Sequence, residues 1–294
     1  MTLKTKYYHM KHIIVPLDFS EESINGLELA IMISSMTRAN IQMVYVMKKG
    51  AEFPHVSQDE EQRFAKSRFR ELQVKYEHKL VSGAELSSIV KRGKIYEEVV
   101  EQAESFDDSV IVVSTHGASG FEEFFIGSNA FRIITASERP VIAIRHGLMP
   151  KGFRKILLPV DFTQDTRQKV PYTMELAKIF GAQVHVLSVT GGKDPDLVQR
   201  VKSWSGQVAE HLGENGLEAV TSFRSGENIS DMIVDYALTE KVDLISIMTD
   251  QGTSISNFLI GNNAQQLLSK SPVPVLCITP KELHVRGGFR TYGG

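Results

Sequence analysis

Short apolar runs alternate with longer amphipathic stretches from one end of the chain to the other. Ile13, Ile14 and Val15 form an uninterrupted apolar run, the pattern of a parallel strand buried on both faces. Residues 20–36 are predicted to be helical, with Ser20 as the cap and Glu21 and Glu22 in the first turn, where the helix dipole favours acids. The pattern then predicts a strand at 41–46, a charged amphipathic helix at 59–79 and a third strand at 85–90. A helix at 95–105, a strand at 109–114, a helix at 129–137 and a strand at 141–145 complete the set. Strand and helix in strict alternation imply a parallel sheet with helices on both faces. Right-handed crossovers make such a sheet doubly wound, with a switch point beside its first strand.

The pattern then repeats. His12-Ile13-Ile14-Val15-Pro16-Leu17-Asp18-Phe19-Ser20 recurs as Lys155-Ile156-Leu157-Leu158-Pro159-Val160-Asp161-Phe162-Thr163, an offset of 143 residues. The same offset relates 41–46 to 184–189. Gly127 matches Gly261, and Pro140-Val141 matches Pro274-Val275, at an offset of 134, so the second copy is about nine residues shorter between its second and third strands. Four blocks in one order indicate a tandem duplication. Gly147, Pro150 and Gly152 mark a short linker. The expected division is a first domain at 9–147, a second at 152–281 and a flexible tail at 282–294. A length of 294 residues agrees with two domains.

Composition narrows the class. With 42% hydrophobic and 23% charged residues the chain is an ordinary globular one, and a net charge of −2 advertises neither nucleic-acid nor acidic-membrane binding. Cys277 is the sole cysteine, which excludes an intrachain disulfide and fits a reducing, cytoplasmic location. Within Val275-Leu276-Cys277-Ile278 it reads as a buried strand residue. No apolar run approaches the roughly 18–20 residues of a membrane span. The polar, basic start of the chain does not read as a signal peptide.

In a doubly wound sheet, ligands bind beyond the carboxyl ends of the strands at the switch point. Two segments reach it: the turn Pro16-Leu17-Asp18-Phe19-Ser20, and the stretch after the fourth strand from Ser114, Thr115, His116 and Gly117 to Gly127, Ser128 and Asn129. Gly127 precedes a predicted helix, whose first amides are unpaired donors suited to phosphate. Asp18 reads equally as a helix cap or a ligand contact. His116 reads as a solvated or phosphate-contacting loop residue, because no second acid–base group accompanies it. Glu122 to Phe125 reads as a charged loop edge or a lid, and Trp204 as a packing residue.

The spacing of Gly117, Gly127 and Ser128 resembles the latter part of the universal stress protein ATP motif, Gly-x2-Gly-x9-Gly-Ser/Thr. Pro16 to Ser20 and Arg139 to Ile144 resemble that family's first-strand turn and last strand, and the likeness covers nearly the whole chain twice. The resemblance implies two Rossmann-like domains of the adenine nucleotide alpha hydrolase type. Each would hold a five-stranded parallel sheet of order 3-2-1-4-5, and the domains would pair through their last strands. It implies that Pro16 and Asp18 border the ribose or adenine, that Val46 faces the adenine, and that Ser114, Thr115, His116, Gly117, Gly127, Ser128 and Asn129 border or bind the phosphates. ATP is the implied ligand, with ADP or AMP left open and Mg²⁺ accompanying the nucleotide.

The motif's first Gly falls at Ser114 in the first copy. The second copy departs further: the corresponding positions are Met248 and Gln251, Gly252 is displaced by one, and Asn262 follows Gly261. Met248 and Gln251 would direct side chains into phosphate space, so the second domain reads as a structural partner. A Walker motif is missing, as are the glycine-rich first turn of adenylating enzymes and the acidic cluster of a receiver domain. The expected function is therefore a nucleotide-binding regulator, at most slowly hydrolytic, that signals to an unidentified protein partner. It would act as an internal pseudo-dimer, with homodimerisation open. The alternative is a nucleotide-free scaffold, or a binder of a small apolar ligand with both sites vestigial.

Overall fold

The β-strand at His12–Pro16 (β1) is flanked by two neighbours, Asn40–Lys48 (β2) and Ser109–Ser114 (β4), both parallel to it. In this computed structural model the described residues are 10–48, 57–115, 126–161, 168–192, 194–249 and 262–280. Leu86–Gly93 (β3) pairs outside β2, and Val141–Ile144 (β5) outside β4. Four helices join them: Glu21–Thr37 (α1), Gln58–Tyr76 (α2), Ile95–Glu104 (α3) and Ser128–Ala136 (α4). The second half follows the same path. Its strands are Lys155–Val160 (β6), Gln183–Thr190 (β7), Ala219–Ser225 (β8), Leu244–Met248 (β9) and Val275–Ile278 (β10). Its helices are Val170–Phe180 (α5), Pro195–Glu214 (α6), Ile229–Glu240 (α7) and Asn262–Lys270 (α8).

The expectation of two tandem sheets is refined in one respect. Strand order runs β3-β2-β1-β4-β5-β10-β9-β6-β7-β8, a single ten-stranded sheet. Each half has the order 3-2-1-4-5, and β5 meets β10 antiparallel, as the family resemblance implied. Joining the last strands removes two open edges that would otherwise invite pairing with other chains. The register is Ala143 with Val275, Ile142 with Leu276 and Val141 with Cys277. The repeat offset maps Ile142 onto Leu276, so the pairing is symmetric about that residue pair and behaves as an isologous contact within one chain.

Strand residues alternate between two apolar layers. Ile13, Val15, Met43, Val110, Val112 and Ile142 pack with α1 and α2, and that layer continues through Ile156, Leu158 and Leu276 to α5 and α6. Ile14, Val44, Val46, Ile111, Val113 and Val141 pack with α3 and α4, and the layer continues to α7 and α8. Burying both faces explains why the strands read as unbroken apolar runs. Cys277 is fully enclosed in the second layer, and burial pushes its thiol well above the usual range, which leaves it unreactive. Trp204 packs, partly buried, against the first layer from α6.

The linker is tied to the first helix. The Asn25 side chain donates to the carbonyls of Arg145 and Leu148, at 3.4 and 3.1 Å, and the Arg145 guanidinium donates to the Ser269 carbonyl of the second half. Residues 282–294, expected to be a tail, lie outside the described residues, as does the 122–125 stretch. No helix among the described residues is long and apolar enough to cross a membrane.

Candidate functional site

Strand order alone assembles most of the expected residues. β1 lies between β2 and β4, so Pro16, Val46 and Ser114 stand at the carboxyl ends of three adjacent strands, which are about 4.8 Å apart in a sheet. The β1 exit is fixed by the Leu17 amide, which donates to the Val44 carbonyl at 2.8 Å. Beyond it Asp18 is exposed, and its Oδ1 accepts from the Ser20 amide (3.1 Å) and the Ser20 hydroxyl (2.5 Å). Ser20 is the cap of α1, accepting from the Ser23 amide at 3.2 Å. Asp18 is therefore not itself the cap: it braces the residue that is.

The β4 exit is built from backbone. The Thr115 amide donates to the Ile144 carbonyl at 2.8 Å, and the Thr115 carbonyl accepts from the Gly127 amide at 2.6 Å. That last bond pins the start of α4 to the end of β4. A β-carbon at Gly127 would lie 3.2 Å from the Thr115 oxygen, so only glycine fits without displacement. Gly127 caps α4 without any side-chain hydrogen bond, whereas α1, α2, α6 and α7 are capped by Ser20, Ser57, Asp194 and Asn228. Ser128 and Asn129 are exposed in the first turn, where helical geometry leaves the amides without intrahelical acceptors. His116 and Gly117 lie outside the described residues.

Ser114 differs from its expected role. Val112 packs on the α1 face and Val113 on the α4 face, so strand alternation turns Ser114 toward α1. There a β-carbon on Gly26 would lie 3.5 Å from the Ser114 amide nitrogen. The Ser114 hydroxyl is buried and has no hydrogen-bond partner among the described residues. The same pleat corrects the reading of Met248, which packs into the α5-side layer rather than into the crevice. At the second β-exit, the Thr249 amide donates to the Ile278 carbonyl at 2.9 Å, a copy of the Thr115 contact. Asp161 is half-buried, while Gln251, Gly252 and Gly261 lie outside the described residues.

Sequence reasoning missed one group in this region. Phe19, next to Asp18, has a φ of 65°, and its ring stacks on Tyr45 with centroids 5.1 Å apart. Tyr45 donates its hydroxyl to Glu61 at 2.9 Å, and burial followed by that acceptor pushes its pKa up to about 12. A positive φ at an aromatic residue leaves no trace in an apolar–polar pattern. The only available signal was a phenylalanine inside a turn otherwise built of Pro, Asp and Ser. Among the described residues no group of three or more His, Cys, Asp or Glu side chains is placed to hold a metal ion.

The comparisons with known proteins agree with this architecture. The model of the Universal stress protein family matches residues 9–145 and again 152–279. A curated universal stress protein of Methanocaldococcus jannaschii is 25% identical over 140 residues, covering 43% of this chain and 82% of its own length. The crystal structure of a universal stress protein from Archaeoglobus fulgidus DSM 4304 superimposes with a TM-score of 0.76 at 22% identity, covering 92% of this chain and 99% of that one. A functionally unknown protein of Pseudomonas aeruginosa PAO1 gives 0.65 at 16% identity over 93% and 94% of the two chains. These two structural likenesses speak for the fold. With the family model matched twice along its length, the chain belongs to the universal stress protein family and carries two such domains in tandem.

Proposed function

We propose that the first domain binds an adenine nucleotide and that the chain acts as a regulator whose nucleotide state is read by a protein partner. The observation that carries this reading is the start of α4. It is held at the β4 exit by the Gly127–Thr115 hydrogen bond, and its first amides carry no side-chain cap. Uncapped amides and the positive end of the helix dipole together favour a phosphate group. Helices α3 and α5 also start without a side-chain cap, but α3 begins beside the outer strand β3, away from the switch point between β1 and β4. In this reading Ser128 and Asn129 contact the phosphates with Thr115, His116, Gly117 and Gly127. Pro16, Asp18 and Val46 border the nucleoside, and Ser114 contributes backbone only.

The ligand is ATP, ADP or AMP, with Mg²⁺ accompanying the charged forms. No residue is assigned as a catalyst, and hydrolysis, where it occurs, is slow. The chain works in the cytoplasm, and the second domain serves mainly as a structural partner. Calorimetric titration of ATP into the full chain tests the reading: one saturable site is expected, and no heat and no thermal shift would overturn it. One observation favours the scaffold alternative: the Gly127 amide is already committed to Thr115, so Gly127 could border a phosphate only through its bare α-carbon. An empty titration would leave that reading standing.

A further inference from the structure

The strained turn beside Asp18 is held from outside the crevice. A left-handed conformation costs an ordinary residue about 1–2 kcal/mol, and such strain persists only where the surroundings over-determine it. Around Phe19 the surroundings are aromatic. Tyr45 stacks on it with planes 20° apart, Phe69 meets it edge-on at 5.3 Å and Phe64 at 5.8 Å, and the Arg68 guanidinium lies 6.0 Å from its centroid. Phe64, Arg68 and Phe69 all belong to α2, and so does Glu61, which holds the Tyr45 hydroxyl. The raised pKa of Tyr45 keeps that hydroxyl a donor well above the neutral range. The second half is built otherwise. Tyr45 corresponds there to Ser188, whose hydroxyl donates to Ser205 of α6 at 2.7 Å.

We infer that Phe19 is a positioning residue: α2 cages its ring, the cage fixes the turn, and the turn aims Asp18 into the crevice. The linkage runs both ways, since any ligand that binds only the aimed form of Asp18 must also favour the docked form of α2. Helix α2 is then the element through which occupancy is reported. The inference rests on the nucleotide reading for its ligand but not for its mechanical part.

The test is hydrogen exchange on the full chain, with and without ATP, for wild type, Phe19→Gly and Phe64→Ala/Glu61→Ala. Phe64 is 54% exposed, so its removal spares the core. Without ligand, the double variant should exchange the amides of residues 17–24 about tenfold faster than wild type, as expected for a local opening made easier. Unchanged exchange there overturns the cage. With ATP, wild type should show protection along α2. Phe19→Gly tolerates the positive φ but lacks the ring, so it should bind ATP about tenfold more weakly and, even at saturating ATP, lose the α2 protection. Protection persisting in Phe19→Gly overturns the linkage. If wild type binds no ATP, the nucleotide reading fails, and the ligand-free comparison alone decides whether α2 holds the turn.

Discussion

The two halves follow one chain path and, among the described residues, differ where the first helix of each crosses the fourth strand. In the first half that seam is made of small and apolar residues: Gly26 and Ala30 on α1 face Val112 and Ser114 on β4. The corresponding residues of the second half are Lys169, Thr173, Ser246 and Met248. There the Thr173 hydroxyl bonds Ser246 at 2.9 Å and the Lys169 carbonyl at 2.9 Å, all within buried surroundings. Lys169 is only 5% exposed and engaged in a polar interaction. The two repeats therefore diverged by exchanging a whole set of contacts rather than single residues. The half with the uncapped α4 keeps glycine where the helix approaches the end of β4, and the other half fills the same place with a buried lysine and hydroxyls.

The largest effect that would break this asymmetry lies at the two motif glycines. Gly127→Val forces side-chain atoms against the Thr115 carbonyl and should weaken ATP binding at least about 100-fold, the equivalent of roughly 2–3 kcal/mol of overpacking. Gly261→Val should leave affinity nearly unchanged. Calorimetry on both variants checks this, and equal losses would show that the halves share the ligand.

Much of this was legible in the residues. The runs Ile13-Ile14-Val15 and Val141 to Ile144 announced strands because both faces are covered, and Ser20 announced the start of α1 because its side chain has the cap's chemistry. The repeat was visible because its landmarks are the residues that turns and helix starts demand. What stayed hidden depends on direction rather than type. Alternation through Val112 and Val113 on β4, and through Ile247 on β9, turns Ser114 and Met248 away from the crevice, although both fall on motif positions. The left-handed turn at Phe19 is set by rings on α2, more than 40 residues further along the chain, which no local pattern reports.

A second comparison sharpens the seam. Thr173→Ala leaves Ser246 buried without its partner and should cost about 1–3 kcal/mol, the penalty for an unsatisfied buried polar group. Adding Ser246→Val, so that both positions carry the first half's residues, should recover most of the loss, because an apolar pair has nothing left to satisfy. Urea unfolding of the two variants measures this, and a double variant no better than the single would show that the exchange is not a matched set.

Acid should separate the halves next. On β7, His185 is buried between the Tyr236 hydroxyl (3.0 Å) and the Gln183 side chain (2.8 Å), and burial, then the charge of Lys155, lower its pKa. Glu240 and Glu218 oppose the shift without cancelling it. A depressed folded-state pKa means that the unfolded chain binds the extra proton first. The stabilisation is thus complete above the usual histidine value of about 6.5 and is lost as pH falls below it toward the folded value. The equivalent pair in the first half is Gln42 and Gln102, joined at 2.7 Å and unable to titrate. Hydrogen exchange followed from pH 7.5 to 5.5 should show β7 and α7 loosening before β2 and α3. His185→Gln/Tyr236→Gln should remove the difference.

The smallest effect tests whether the end of α1 carries strain that the equivalent end of α5 has shed. Helix α1 ends on Arg38 at a φ of 59°, and the equivalent end of α5 is Gly181 at 62°. Both close the helix the same way, with the residue's amide donating to the carbonyl four positions back, Ser34 or Ala177. Of these two residues only Arg38 carries a β-carbon into the left-handed region, at a cost of about 1 kcal/mol, part of which glycine returns through the greater freedom of its unfolded chain. Arg38→Gly should therefore raise the stability of the first half by a few tenths of a kcal/mol. The reverse change, Gly181→Arg, should lower that of the second by up to about 1 kcal/mol. Both shifts are readable in urea midpoints, and opposite signs are required, because the left-handed cap is the same in the two halves and only the residue carrying it differs.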